Sequence, residues 1–93
     1  ADLGWSDVGS WATLLDLLPP SDDGENVVVG RHVGIETRNS LIYSPKRLIA
    51  TVGLENIVIV DTGDAILVCP KDRAQDVKRV VKYLEEQGLY DVL

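Results

Sequence analysis

The middle of this chain constrains its fold most. From Asn26 to Pro70 it breaks into short aliphatic runs: Val27–Val29, Val33–Thr37, Leu41–Tyr43, Leu48–Val52, Ile57–Val60 and Ala65–Cys69. Turn-forming residues separate them at Gly30, Asn39-Ser40, Ser44-Pro45, Gly53, Glu55-Asn56 and Thr62-Gly63-Asp64. Runs rich in Val, Ile and Leu, bounded in this way, read as strands. Strands as short as three residues survive when each pairs with a coil above and a coil below, as in a stacked β-helix. Val29, Ile35 and Leu41 are six apart, and after a one-residue slip so are Leu48, Leu54, Val60 and Ile66, the spacing such a stack requires. Eighteen of the 45 residues in this stretch are Val, Ile or Leu, so some matches at any fixed spacing arise by chance. A small β-barrel or sandwich therefore stays open as the alternative.

A helix is expected on each side of the strands. Trp11, Leu14, Leu15 and Leu18 fall at i, i+3, i+4 and i+7, with Ser10 placed to cap and Pro19-Pro20 to stop. That stripe is expected to be buried. The polar stretch Ser21–Glu25 then reads as a linker. Beyond Pro70, Asp72 and Gln75 form a capping-box pattern ahead of the stripe Ala74, Val77, Val80, Val81 and Leu84. This predicts a helix over 73–87, closed by Gly88 and laid over the β region with its charged face in solvent.

Several functions are excluded by composition. Fifteen acidic against nine basic residues give a net charge of −6, which repels nucleic-acid phosphates and anionic lipid headgroups. No apolar run approaches the roughly 20 residues that span a bilayer, and no signal peptide is visible, so the cytoplasm is the expected compartment. Cys69 is the only cysteine and reads as a small buried hydrophobe. His32 is the only histidine and reads as a surface or turn residue, which leaves nothing for His-based triads or metal sites. No Gly-rich phosphate loop with a lysine is present. No catalytic residue can be assigned within the chain.

One segment stands apart. Gly4-Trp5-Ser6-Asp7-Val8-Gly9-Ser10-Trp11 holds two tryptophans, two glycines and a carboxylate just ahead of a helix. Glycines let backbone approach a ligand, and Asp7 near the helix start could hold a divalent cation against phosphate oxygens. The plainer alternative makes Asp7 a helix cap and both tryptophans core.

The same segment resembles the one that closes the catalytic domain of mannose-1-phosphate guanylyltransferases, the GDP-mannose pyrophosphorylases. Thr37-Arg38-Asn39-Ser40, Ala50–Asn56, Val60–Ala65 and Lys71–Lys78 resemble that family's C-terminal region in the same order, over nearly the whole chain. The resemblance implies an enzyme that joins mannose 1-phosphate to GTP with magnesium, releasing pyrophosphate. Asp7 inherits the role of a metal ligand in that picture. The nucleotide-binding loop and the second metal-ligating carboxylate are expected upstream of residue 1, and the chain opens without Met in what reads as the middle of an element. The chain alone is therefore expected to be inactive.

The division that follows is 1–20 as the tail of a catalytic domain, 21–25 as linker, and 26–93 as an irregular left-handed β-helix-like domain capped by the helix 73–87. Its expected role is structural, in packing and homo-oligomer contacts. Family members with an added phosphomannose isomerase domain need several metal-binding histidines, which this chain lacks. The competing reading from another class is an independent β-rich interaction module.

Overall fold

In the computed structural model, Val27 pairs with Leu41 and Leu41 with Val58, both in parallel, so successive turns of the chain stack directly. The structure describes residues 4–19 and 24–89, without the side chain of Leu15. Four strands, β1 (Val27–Ile35), β2 (Leu41–Val52), β3 (Ile57–Asp61) and β4 (Ile66–Pro70), form one sheet in the order β1-β2-β3-β4. The first three run parallel, and β4 turns back antiparallel to β3. Because β1 and β4 are the two edges, the sheet does not close into a barrel.

Coil length is where the six-residue spacing fails. Equivalent positions are 14 residues apart between the first two coils, as at Asn26 and Ser40, and 17 apart between the next two, as at Ser40 and Ile57. The register explains the difference: Gly30 pairs with Ser44 but His32 with Ile49, so the extra residues of the second coil lie between Ser44 and Ile49. Val29, Ile35, Leu48 and Ile66 are consequently exposed, whereas Leu41 and Val60 are buried. The expected breaks at Gly30 and Ser44-Pro45 are likewise not strand ends. They are bends within two long strands.

The corners repeat with the same offsets. Glu25, Asn39 and Asn56 all have φ between 51° and 63°, and Glu36 shares its left-handed conformation with Gly53 one coil on. These are the places where each coil turns. Backbone bonds tie them vertically: Asn39 N–H donates to Gly24 C=O, Asn56 N–H to Arg38 C=O and Lys71 N–H to Asn56 C=O. Inside the coils, buried side chains satisfy the backbone where the ladder is interrupted. Asn26 Nδ2 donates to Thr37 C=O and its Oδ1 accepts from Ser40 N–H, both at 2.9 Å, while Ser40 Oγ accepts from Ile57 N–H at 3.1 Å. Each of these bonds spares a buried polar group the ~1–3 kcal/mol of going unpaired.

Side chains alternate across the sheet. Val27, Leu41, Val58, Val60 and Leu67 share one core with Trp5, Val8 and Ala12 and with Ala74, Val77 and Val81, the N-terminal and C-terminal helical regions also packing against each other. Ile42 and Ile59, one position on from Leu41 and Val58, are buried on the opposite face. The flanking helices thus cover the outside of the stack.

Their limits differ from the sequence expectation. The first helix, α1, spans Val8–Leu15 after a 3-10 turn at Trp5–Asp7, so Asp7 takes the N-cap position and Ser10 lies within the helix. Its buried face is Trp5, Val8 and Ala12. Trp11 is half-buried, but Leu14 is 63% and Leu18 48% exposed, which reverses the expected stripe. Pro20, Ser21–Asp23 of the expected linker and the Leu15 side chain lie outside the described residues. At the other end, a 3-10 segment Lys71–Asp76 precedes α2 (Val77–Glu86), and Asp72 makes no capping bond. Gly88 does close the helix: at φ 75° its N–H donates to Glu85 C=O, and Leu89 N–H reaches back to Leu84 C=O. Val80 is 41% exposed rather than part of the core.

Candidate functional site

Asp7 is placed by the packing of its neighbours. In the 3-10 turn its N–H donates to Gly4 C=O at 3.0 Å, and the turn sends Trp5 inward and Ser6 and Asp7 outward. Trp5 is buried against the C-terminal helical region, its indole N–H without a partner among the described residues. Trp11 meets Tyr43 of β2 edge-on, with ring centroids 5.8 Å apart at 85°. Both tryptophans therefore serve the core, as the plainer sequence reading had it. The Asp7 side chain makes no cap bond to α1 and is exposed.

An exposed carboxylate at the start of a helix suits a cation ligand, but magnesium demands near-octahedral oxygen coordination and is held through more than one group. No cluster of three His, Cys, Asp or Glu side chains occurs among the described residues. A complete magnesium site does not fit within them. Asp7 offers one oxygen ligand and no more.

Two basic side chains, Lys71 and Arg47, are committed to contacts within the fold. Lys71 Nζ contacts Asp16 Oδ1 at 2.5 Å and donates to Asn39 Oδ1 at 2.9 Å and Asn39 C=O at 3.4 Å. An ammonium has three donors, and here they pin the end of α1 to the asparagine corner, where Asn39 Nδ2 also donates to Asn56 Oδ1. Beside it Gly9 packs against the Gln75 side chain, whose Oε1 lies 2.6 Å from where a Cβ would be. Sequence reasoning missed Lys71, because a lone lysine after Cys69-Pro70 carries no periodic signal. Arg47 is similarly engaged: Nε contacts the buried Asp61 Oδ2 at 2.7 Å and Nη2 donates to Gly63 C=O at 3.1 Å. Asp61 Oδ1 also accepts from Gly63 N–H, so this buried charge is fully partnered.

The two residues set aside from the sequence are found as follows. His32 is not a surface or turn residue: it lies inside β1, half-buried, with Nε2 2.8 Å from Thr51 Oγ1, which in turn sits 2.6 Å from Thr37 Oγ1. Its ring lies over Gly34, where a Cβ would be 2.6 Å from Cε1. Cys69 is half-buried in β4, and burial, with Asp76 adding to it, holds the thiol above its ordinary pKa. A thiol kept protonated is a poor nucleophile. No helix of the described residues is long and apolar enough to cross a membrane.

Comparison with known proteins matches this geometry. Residues 30–84, more than half of the chain, match the MannoseP isomerase/GMP-like beta-helix domain. The mannose-1-phosphate guanylyltransferase of Salmonella muenchen is 49% identical over 88% of this chain and 17% of its own length. The alginate biosynthesis protein AlgA of Pseudomonas putida is 46% identical over 91% of this chain and 17% of its own. A crystal structure described as a mannose-1-phosphate geranyltransferase from Thermus thermophilus superposes with a TM-score of 0.72 at 42% identity, covering 85% of this chain and 24% of that one. The chain spans less than a fifth of the length of these two sequence relatives and about a quarter of that solved chain. Its parallel coils, their capping helix and the match across them place it in one family: the chain belongs to the mannose-phosphate isomerase/GMP-like β-helix domain family.

Proposed function

We propose that this chain is the C-terminal β-helix part of a cytoplasmic enzyme that makes GDP-mannose and pyrophosphate from mannose 1-phosphate and GTP. In that reaction a phosphate oxygen of the sugar attacks the α-phosphorus of GTP and pyrophosphate leaves. The chain's own contribution is packing and homo-oligomer contacts rather than bond-making groups. The observation that carries this reading is the alignment of nearly the whole chain with under a fifth of each mannose-1-phosphate guanylyltransferase it resembles. Support also comes from the basic side chains Lys71 and Arg47, which are tied up in structural contacts. In such an enzyme the exposed Leu14, Leu17 and Leu18 face of α1 is where the remaining polypeptide packs.

Asp7 is the one residue of the chain we assign to the reaction, as a single magnesium ligand completed by groups from that remaining polypeptide. The test is Asp7→Ala in the intact enzyme. Turnover is expected to fall about 100-fold or more, because a ligand to a metal bearing transition-state charge is lost. The melting temperature is expected to hold, since the side chain is exposed and makes no cap bond. Near-normal turnover at saturating magnesium would remove Asp7 from the site.

A further inference from the structure

β4 is an edge strand, and two hydrogen bonds show which of its groups face outward. At one end Thr62 N–H donates to Ala65 C=O, and at the other Lys71 N–H donates to Asn56 C=O. Both are bonded pairs of the β3–β4 ladder or its direct extension. Bonded and non-bonded pairs alternate in an antiparallel ladder, so Val60/Leu67 and Val58/Cys69 are bonded, whereas Asp61/Ile66, Ile59/Val68 and Ile57/Pro70 are not. The two ends agree on this phase. Ile66 and Val68 therefore direct both N–H and C=O away from β3, and the donor that Pro70 lacks falls on the same outer side.

The outward pattern is its own complement about Val68. We propose that β4 pairs antiparallel with β4 of a second copy of this chain, about a two-fold axis through Val68, joining two four-stranded sheets into one. This rests on the structural role proposed above and names the surface that performs it. Val68 exchanges both bonds with Val68 of the other copy, and Ile66 N–H donates to Pro70 C=O at each end. The missing proline donor falls at the margin of the pairing, where it breaks nothing.

The surroundings favour a copy of the same chain. Val68 is 58% exposed, and with Val80 and Tyr83 it lines an apolar groove between β4 and α2. The groove is rimmed by Arg73, Arg79 and Asp76, so it carries both signs in a chain whose net charge is −6. Two copies meeting there avoid most of the repulsion that their other surfaces impose.

Sedimentation of the chain from about 1 to 300 µM tests this, the range suited to a small interface. The mass is expected to rise from 10.2 kDa toward twice that value. Val68→Pro is expected to remain monomeric throughout with an unchanged β spectrum, since the N–H it removes bonds nothing among the described residues. Val68→Lys is expected to do the same and covers the case in which proline disturbs the strand. In a Cys69→Ser background, Val68→Cys is expected to form a disulfide between copies, because a bonded antiparallel pair sets the Cα atoms about 5.5 Å apart. A parent chain that stays monomeric at the highest concentration would overturn the proposal. So would association that survives both Val68 variants but is lost in Leu17→Lys. Neither result touches the assignment to GDP-mannose synthesis, which stands or falls with Asp7 in the intact enzyme.

Discussion

Gly30→Ala is expected to lower the stability of this chain by about 3–5 kcal/mol, from left-handed backbone strain of ~1–2 kcal/mol together with a clash that the strand cannot relieve locally. Gly30 has a φ of 101°, and a Cβ there would lie 1.9 Å from Ser44 C=O and 2.8 Å from Pro45 N. Those atoms are backbone, not the flexible end of a side chain. They also sit where β2 departs from β1 to accommodate the longer second coil. Moving them would displace Ser44, whose Oγ holds Arg47 C=O, and with it the Arg47 that neutralises buried Asp61. A domain of this size has a total stability of ~5–14 kcal/mol, so the loss is a large share of the whole. Thermal melting should show it as a fall of more than about 12 °C. A melt within about 2 °C of the parent would mean that the two strands do not approach so closely at this coil.

Val77→Asp is the second large effect. Val77 is 3% exposed and belongs to the core that joins α2 to the sheet. An unpaired carboxylate there costs several kcal/mol, about as much as Gly30→Ala, and is expected to release α2. Val80→Asp, one turn along the helix, should change the melt of dilute protein by about 1 kcal/mol or less, because that side chain already meets water. The contrast reports which face of α2 is inward. Equal losses from the two variants would contradict the helix orientation described above.

This pair of residues also shows how far sequence patterns reach. The apolar stripe of α2 was legible, but it is wider than the buried strip, so Val80 could not be separated from Val77 and Val81 by spacing alone. For α1 the pattern fits two faces: Trp5, Val8 and Ala12 on one, and Trp11, Leu14 and Leu18 on the other. Periodicity identifies the helix and is silent on which face meets this core. Leu14 and Leu18 proved to be exposed, while Trp5 is buried.

In the β region, the turn residues Asn39, Gly53 and Asn56 were correctly read as corners. The coil period was not, because one coil has 14 residues and the next 17. No fixed spacing survives that change. A partly polar interior adds to the difficulty, since Asn26, Thr37, Ser40, Ser44 and Thr51 are buried where a repeat search expects aliphatic side chains. His32 and Lys71 were opaque for the same reason: their partners, Thr51 and the pair Asp16 and Asn39, come from other coils or from α1. Asp7 could be singled out from its neighbours in sequence. The absence of a complete cation site around it among the described residues needed the structure.

Incubating the purified 93-residue chain with GTP, mannose 1-phosphate and magnesium, and following GDP-mannose by chromatography, tests the account most directly. The account predicts no product above a protein-free control, because one exposed carboxylate cannot assemble a metal site or grip a triphosphate. Magnesium-dependent accumulation of GDP-mannose would contradict it.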